Sequence, residues 1–97
     1  MNLDLRGKRA VVGGSTQGIG KASAIELANL GATVTLLSRN EESLKAVLRE
    51  LPAPANQTHG YLVADFSDPD QLKSVIQKFA KTNAVHILVN NTGGPPA

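Results

Sequence analysis

The stretch RAVVGGSTQGIGKASAIELANLG (Arg9–Gly31) decides the fold. A short apolar run, Arg9–Gly14, reads as a buried strand. Gly13, Gly14, Gly18 and Gly20 then put four glycines into eight residues, and a helical pattern follows. Glycine favours neither a strand nor a helix interior. Its crowding here fits a backbone that turns sharply and lets a bulky anion approach with no Cβ in the way. Free N–H groups at a helix start, together with the helix dipole, form such an anion site. Gly14, Gly18 and Gly20 suit a pyrophosphate; the alternative is a tight strand-to-helix turn that holds nothing. No Gly-Lys-Ser/Thr follows, which argues against an ATPase phosphate loop.

Working outward, Ile19, Ala22, Leu27 and Leu30 recur at roughly helical spacing and predict a helix near 18–30, stopped by Gly31. Thr33–Ser38 (TVTLLS) reads as a second strand. Asn40 is a good N-cap, with Glu41 and Glu42 where the helix dipole favours acids. Leu44, Val47, Leu48 and Leu51 continue that helix over 41–51, and Pro52 closes it. Pro52–His59 is expected to be a mobile loop. Gly60–Asp65 is the third strand. Ser67 or Asp68 caps a third helix near 69–82, with Pro69 in its first turn and an apolar stripe of Leu72, Val75, Ile76, Phe79 and Ala80. Val85–Asn90 is the fourth strand. The pattern β-α-β-α-β-α-β, with continuous rather than alternating apolar strands, implies a parallel sheet covered on both faces. Right-handed crossovers leave few topologies. The expectation is a Rossmann-type doubly wound α/β sheet of order 3-2-1-4, with a ligand at the carboxyl ends of strands one and four.

The totals narrow the function. The 97 residues make one small domain. A net charge of +2, one Tyr, two Phe and no Trp argue against nucleic acid. The absence of Cys excludes disulfides and cysteine metal sites. His59 and His86 stand on different elements with no acid completing a metal set, so they read as surface and core histidines. The start MNLDLRGKRAVVGG has no apolar run of a secretory signal, and no stretch is long enough for a bilayer. The expectation is a soluble, cytoplasmic protein.

The glycine spacing is G-x-x-x-G-x-G, Gly14 to Gly20. It resembles the cofactor loop of the short-chain dehydrogenase/reductase family, written T-G-x-x-x-G-x-G. Asn90-Asn91-Thr92-Gly93 is similar to that family's N-N-A-G after strand four. Asp65 closes strand three, where the family holds the adenine. Ser38-Arg39 closes strand two, where it selects its nicotinamide cofactor. The four motifs span nearly the whole chain. Gly13 replaces the usual Thr and Thr92 the usual Ala; neither change removes a required glycine.

The resemblance assigns cofactor binding to Gly14, Ser15, Thr16, Gln17, Gly18, Ile19 and Gly20 in the loop. It adds Ser38, Arg39 and Asn40 after strand two, Asp65 and Phe66 after strand three, and Asn91, Thr92 and Gly93 after strand four. NAD-selective members carry an acid at the end of strand two, and here Ser38 and Arg39 stand instead. An arginine clasps a 2′-phosphate with charge-assisted hydrogen bonds, so the resemblance implies NADP(H), with Ser15, Thr16 and Asn40 assisting Arg39. Without a ligand, Arg39 is a solvated charge, and Asp65 is a cap for the segment that follows it.

The family's reductases also use a serine and a Tyr-x-x-x-Lys pair, whose lysine lowers the tyrosine pKa for proton transfer to a carbonyl. The one tyrosine, Tyr61, has Asp65 four residues on, which would raise its pKa, and it lies away from the switch point. No catalytic set is assigned. Three readings follow: the N-terminal NADP(H)-binding half of a carbonyl reductase, with catalysis elsewhere; a binding-only nucleotide module; or an unrelated α/β domain with an empty glycine turn. The segment NNTGGPP is similar to the 3-oxoacyl-carrier-protein reductase branch. A small-molecule carbonyl or alcohol substrate and a homo-oligomeric parent are implied. Residues 1–97 alone are expected to be inactive. They are also expected to be marginally stable or to self-associate through strand four, with Val85, Ile87, Val89, Val11 and Leu36 half covered.

Overall fold

The computed structural model describes residues 4–14, 18–65 and 67–90. Their elements run β1 (Arg9–Gly13), α1 (Gly18–Asn29), β2 (Thr33–Ser38), α2 (Glu41–Leu48), β3 (Gly60–Val63), α3 (Pro69–Thr82) and β4 (Ile87–Asn90). The sheet is parallel, in the order β3-β2-β1-β4. The element order and topology are those expected from the sequence.

Alternation along each strand divides the apolar side chains between two layers. Val12, Val34 and Leu36 face α1 and α2, where they pack with Ala24, Ala28, Leu44 and Val47. Val11 and Leu37 face the other way, onto Leu72, Val75, Ile76 and Phe79 of α3. Val11 and Leu36 are fully buried, which corrects the expectation that they stand half covered. Both lie on the two central strands, which the helices cover. Val85, Ile87 and Val89 are half-buried as expected. Among the described residues β3 and β4 are the edge strands, and Val63 (45%) and Leu88 (57%) are exposed on them.

The inner face of α1 differs from the expectation. Gly20, Ala24 and Ala28, four residues apart, are its buried positions, whereas Ala22 is exposed and Ile19 is 76% exposed. Small side chains let this helix lie close to the sheet, and that spacing is as helical as the one carried by the larger residues. The end of α1 is as foreseen. The Gly31 N–H donates to the Ala28 carbonyl (3.1 Å) and the Ala32 N–H to the Leu27 carbonyl (3.1 Å), with Gly31 at φ +98°. This is a Schellman closure, which glycine accommodates best.

Several boundaries move inward, that of β1 from Gly14 to Gly13 among them. Helix α2 ends at Leu48, after which Glu50 N–H and Leu51 N–H bond three residues back in a tightened turn; Leu51 is still buried. Strand β3 ends at Val63, although the Ala64 N–H still donates to the Ser38 carbonyl (3.0 Å). Strand β4 starts at Ile87 rather than Val85, preceded by a bridge in which the His86 N–H donates to the Arg9 carbonyl (2.9 Å) and His86 Nδ1 accepts the Arg9 N–H (3.0 Å). His86 is thus an exposed clasp between the starts of two strands.

The loop Pro52–His59, expected to be mobile, is tied down by side chains. His59 Nδ1 accepts the Val34 N–H (3.0 Å), so its Nε2–H donates to the Pro52 carbonyl (2.8 Å). Gln57 Nε2 donates to the carbonyls of Ala28 (2.8 Å) and Ala32 (3.1 Å), satisfying acceptors at the end of α1. His59→Ala leaves the Val34 N–H without this acceptor and releases the loop. The expected loss is about 1–3 kcal/mol, the cost of an unsatisfied buried polar group, read by urea unfolding.

Candidate functional site

All four strands point their carboxyl ends to one edge. Gly13 is level with Leu37 on one side and Asn90 on the other, and Ser38 is level with Val63. The chain leaves β1 through Gly14, at φ +67°, whose N–H donates to the Leu37 carbonyl (3.0 Å) and extends the ladder by one bond. It enters α1 at Gly18, also left-handed at φ +61°, where a side chain would meet nothing within 4 Å. The first turn of α1 carries no acid, so nothing in it opposes the positive end of the helix dipole. In this first turn Ile19 is exposed and Gly20 is buried. Ser15, Thr16 and Gln17 of the expected set lie outside the described residues, as do Phe66, Asn91, Thr92 and Gly93.

The chain leaves β2 through half-buried Ser38 into exposed Arg39 and Asn40. Asn40 caps α2 as expected: its Oδ1 accepts the Ser43 N–H (3.1 Å). The cap uses the amide oxygen and leaves the amide N–H groups toward solvent. Among the described residues no acid forms an ion pair with Arg39.

Asp65 follows β3. Its Oδ1 accepts both the N–H (2.9 Å) and the hydroxyl (2.7 Å) of Ser67, while its own N–H donates to Gln71 Oε1 (3.0 Å). The cap of α3 is Asp68, whose Oδ1 accepts the Gln71 N–H (3.1 Å). The two acids therefore divide the work: Asp68 caps the helix, and Asp65 holds the turn before it through one oxygen. The Ser67 hydroxyl, then its N–H, hold the Asp65 carboxyl below its ordinary range, and the Arg39 charge adds to this. Asp65 stays ionised at neutral pH, and its contribution to the turn fades only as the pH falls through its lowered pKa.

Tyr61 faces the α1/α2 layer, two strands from β1. The acid acting on it is not Asp65, as the sequence suggested, but Glu41 at the start of α2. The Tyr61 hydroxyl donates to Glu41 Oε2 (3.0 Å), which pushes its pKa up. Gln71 at Asp65 and Glu41 at Tyr61 escape a reading by sequence, since no short spacing links either pair. A shallow cleft lined by Asp4, Arg6, Asn29 and Pro54 lies at the opposite, amino edge of the sheet, away from these groups. Among the described residues no His, Cys, Asp and Glu cluster could hold a metal, and no helix is long and apolar enough to cross a membrane.

A doubly wound sheet with glycines at the end of β1 and the start of α1 is the architecture of nucleotide-binding α/β proteins. The pattern of the short chain dehydrogenase family matches residues 8–97, and the chain belongs to that family. It is 44% identical over 87 residues to the human inactive hydroxysteroid dehydrogenase-like protein 1, covering 90% of this chain and 26% of that protein. The L-sorbose reductase of Gluconobacter frateurii, solved with NADPH and L-sorbose, superimposes with a TM-score of 0.84 at 30% identity, over 99% of this chain and 37% of the reductase. The 3-oxoacyl (acyl-carrier-protein) reductase of Agrobacterium tumefaciens with NADP bound gives 0.84 at 34% identity, over 98% and 36%. The chain thus spans about a quarter to two fifths of the lengths of these proteins.

Proposed function

We propose that these residues are the N-terminal NADP(H)-binding half of a short-chain oxidoreductase that reduces a carbonyl to an alcohol. The observation that carries the reading is the corner after β2. A neutral Ser38 stands where an acid would repel a 2′-phosphate, followed by an Arg39 that forms no ion pair with an acid among the described residues. The neighbours solved with NADPH or NADP bound support it. In this reading Gly14 to Gly20 hold the pyrophosphate at the α1 start, and Arg39 grips the 2′-phosphate with Ser15, Thr16 and the amide N–H of Asn40. Asp65 and Phe66 border the adenine, and Asn91, Thr92 and Gly93 line the nicotinamide side.

The cofactor supplies the hydride. The chain's own part is to bind and orient it. The proton donor is a Tyr-x-x-x-Lys pair that the 97 residues do not contain, and Tyr61, tied to Glu41, does not replace it. The substrate is a small carbonyl compound, with a 3-oxoacyl thioester as the specific candidate; the parent is a cytoplasmic homo-oligomer. Arg39→Ala is expected to weaken NADP⁺ binding about ten- to a hundred-fold, from the roughly 1.5–3 kcal/mol of a hydrogen bond to a charged group. NAD⁺ binding should stay unchanged, and calorimetry with both cofactors checks it. Equal losses for the two would sink the assignment.

A second reading, a nucleotide-binding module without catalysis, is favoured by the relatives that are themselves called inactive. NADPH oxidation by the full-length parent protein in the presence of a carbonyl panel separates the two.

A further inference from the structure

We propose that Tyr61 is a positioning residue for cofactor selectivity, holding the Glu41 carboxylate away from Arg39 and from the place of the 2′-phosphate. The inference rests on the NADP(H) reading above. Glu41 is two residues from Arg39, across the Asn40 cap, and is the first residue of α2. An unrestrained carboxylate there has two harmful positions. It can pair with the Arg39 guanidinium, or it can stand beside the phosphate and repel it.

The structure shows no ion pair between Glu41 and Arg39. Glu41 Oε2 accepts a hydrogen bond from the Tyr61 hydroxyl (3.0 Å). Tyr61 is set by the sheet: its backbone is level with Leu36 of β2, and its ring packs against the layer that contains Leu44 and Val47 of α2. The hydroxyl is thereby delivered to the start of α2 by β3. The charges sort into two groups. Tyr61 senses Glu41, Glu42 and Lys45, whereas the charge sensed by Asp65 is that of Arg39. Glu41 itself raises the Tyr61 pKa, so the hydroxyl keeps its proton, and the donor its function, throughout the neutral and mildly alkaline range.

The test measures NADP⁺ and NAD⁺ dissociation constants by calorimetry on the full chain and on Arg39→Ala, Tyr61→Phe, Glu41→Gln and the Tyr61→Phe/Glu41→Gln pair. Tyr61→Phe is expected to weaken NADP⁺ about two- to five-fold, the scale of an exposed charge pair, with NAD⁺ unchanged. Neutralising the freed carboxylate in the double variant should restore NADP⁺ affinity. Glu41→Asp, too short to reach the hydroxyl, should reproduce the loss and serves if Tyr61→Phe does not fold. Equal weakening of both cofactors means a merely structural tyrosine and overturns the proposal, as does an unchanged preference or a loss that Glu41→Gln leaves unrepaired. Failure of the underlying reading is separate: there Arg39→Ala leaves the NADP⁺ preference intact.

Discussion

Leu36→Ala is expected to lower the unfolding free energy by about 2–5 kcal/mol, the cost of removing a leucine side chain from a packed core. Leu36 is fully buried on β2, level with Val12 of β1 and Tyr61 of β3. It lies in the layer to which α1 and α2 contribute Ala24, Ala28, Leu44 and Val47. A sheet held by neighbouring strands on both sides cannot move inward to fill the space, which places the loss in the upper part of that range. Domain stability is only about 5–15 kcal/mol, so the variant should lose a large share of its folded margin. Urea unfolding gives the measure. Leu36→Met, which nearly conserves volume, should cost less than about 1.5 kcal/mol. Equal losses for the two would mean that the cavity is not the cause.

Gly31→Ala is the second large effect. At φ +98° any side chain is strained, and the new Cβ would lie 2.8 Å from Arg6 Cγ and 3.2 Å from the Arg6 backbone nitrogen. The backbone strain alone is worth about 1–3 kcal/mol. Relieving the clash requires moving the N-terminal segment, which is fastened where the Leu5 N–H donates to the Leu30 carbonyl (2.8 Å) and the Thr33 N–H to the Lys8 carbonyl (2.9 Å). Forcing atoms into a filled space typically adds about 1–3 kcal/mol. At roughly 4–8 °C per kcal/mol for a domain of this size, the melting temperature should fall by about 10 °C or more. A scanning melt checks this. Arg6→Ala/Gly31→Ala, which removes the Cγ that the new methyl strikes, should recover part of the loss but not the share due to φ.

Both effects bear on the site. Leu36 and Leu37 precede Ser38, the last residue of β2, and Arg39, and Gly31 follows the helix whose first turn begins at Gly18. In the proposed reading, a sheet loosened at Leu36, or an α1 shifted by the Gly31 methyl, would misplace the proposed pyrophosphate-binding turn relative to the Arg39 corner. Cofactor affinity should therefore fall with stability in these variants, for NADP⁺ and NAD⁺ alike. Arg39→Ala differs in that it should affect the phosphorylated cofactor alone.

The sequence by itself determined the order of elements, the parallel 3-2-1-4 sheet, the glycine turn between β1 and α1, the Asn40 cap and the Gly31 stop. The order of elements follows from apolar runs and helical spacing, and the parallel sheet from continuous rather than alternating apolar strands joined by right-handed crossovers; the turn, the cap and the stop follow from the φ a glycine allows and from side-chain oxygens reaching nearby N–H groups. Tertiary structure alone decided the rest. It turned Gly20, Ala24 and Ala28 rather than Ile19 into the sheet, since two helical spacings were present and only packing distance chose between them. It made His59 and His86 acceptors for main-chain N–H groups 25 and 77 residues away, and it brought Tyr61 to Glu41 across 20 residues. These partners meet only when separate strands and helices come together. A spacing along the chain carries no trace of them, because the chain closes those distances only by folding.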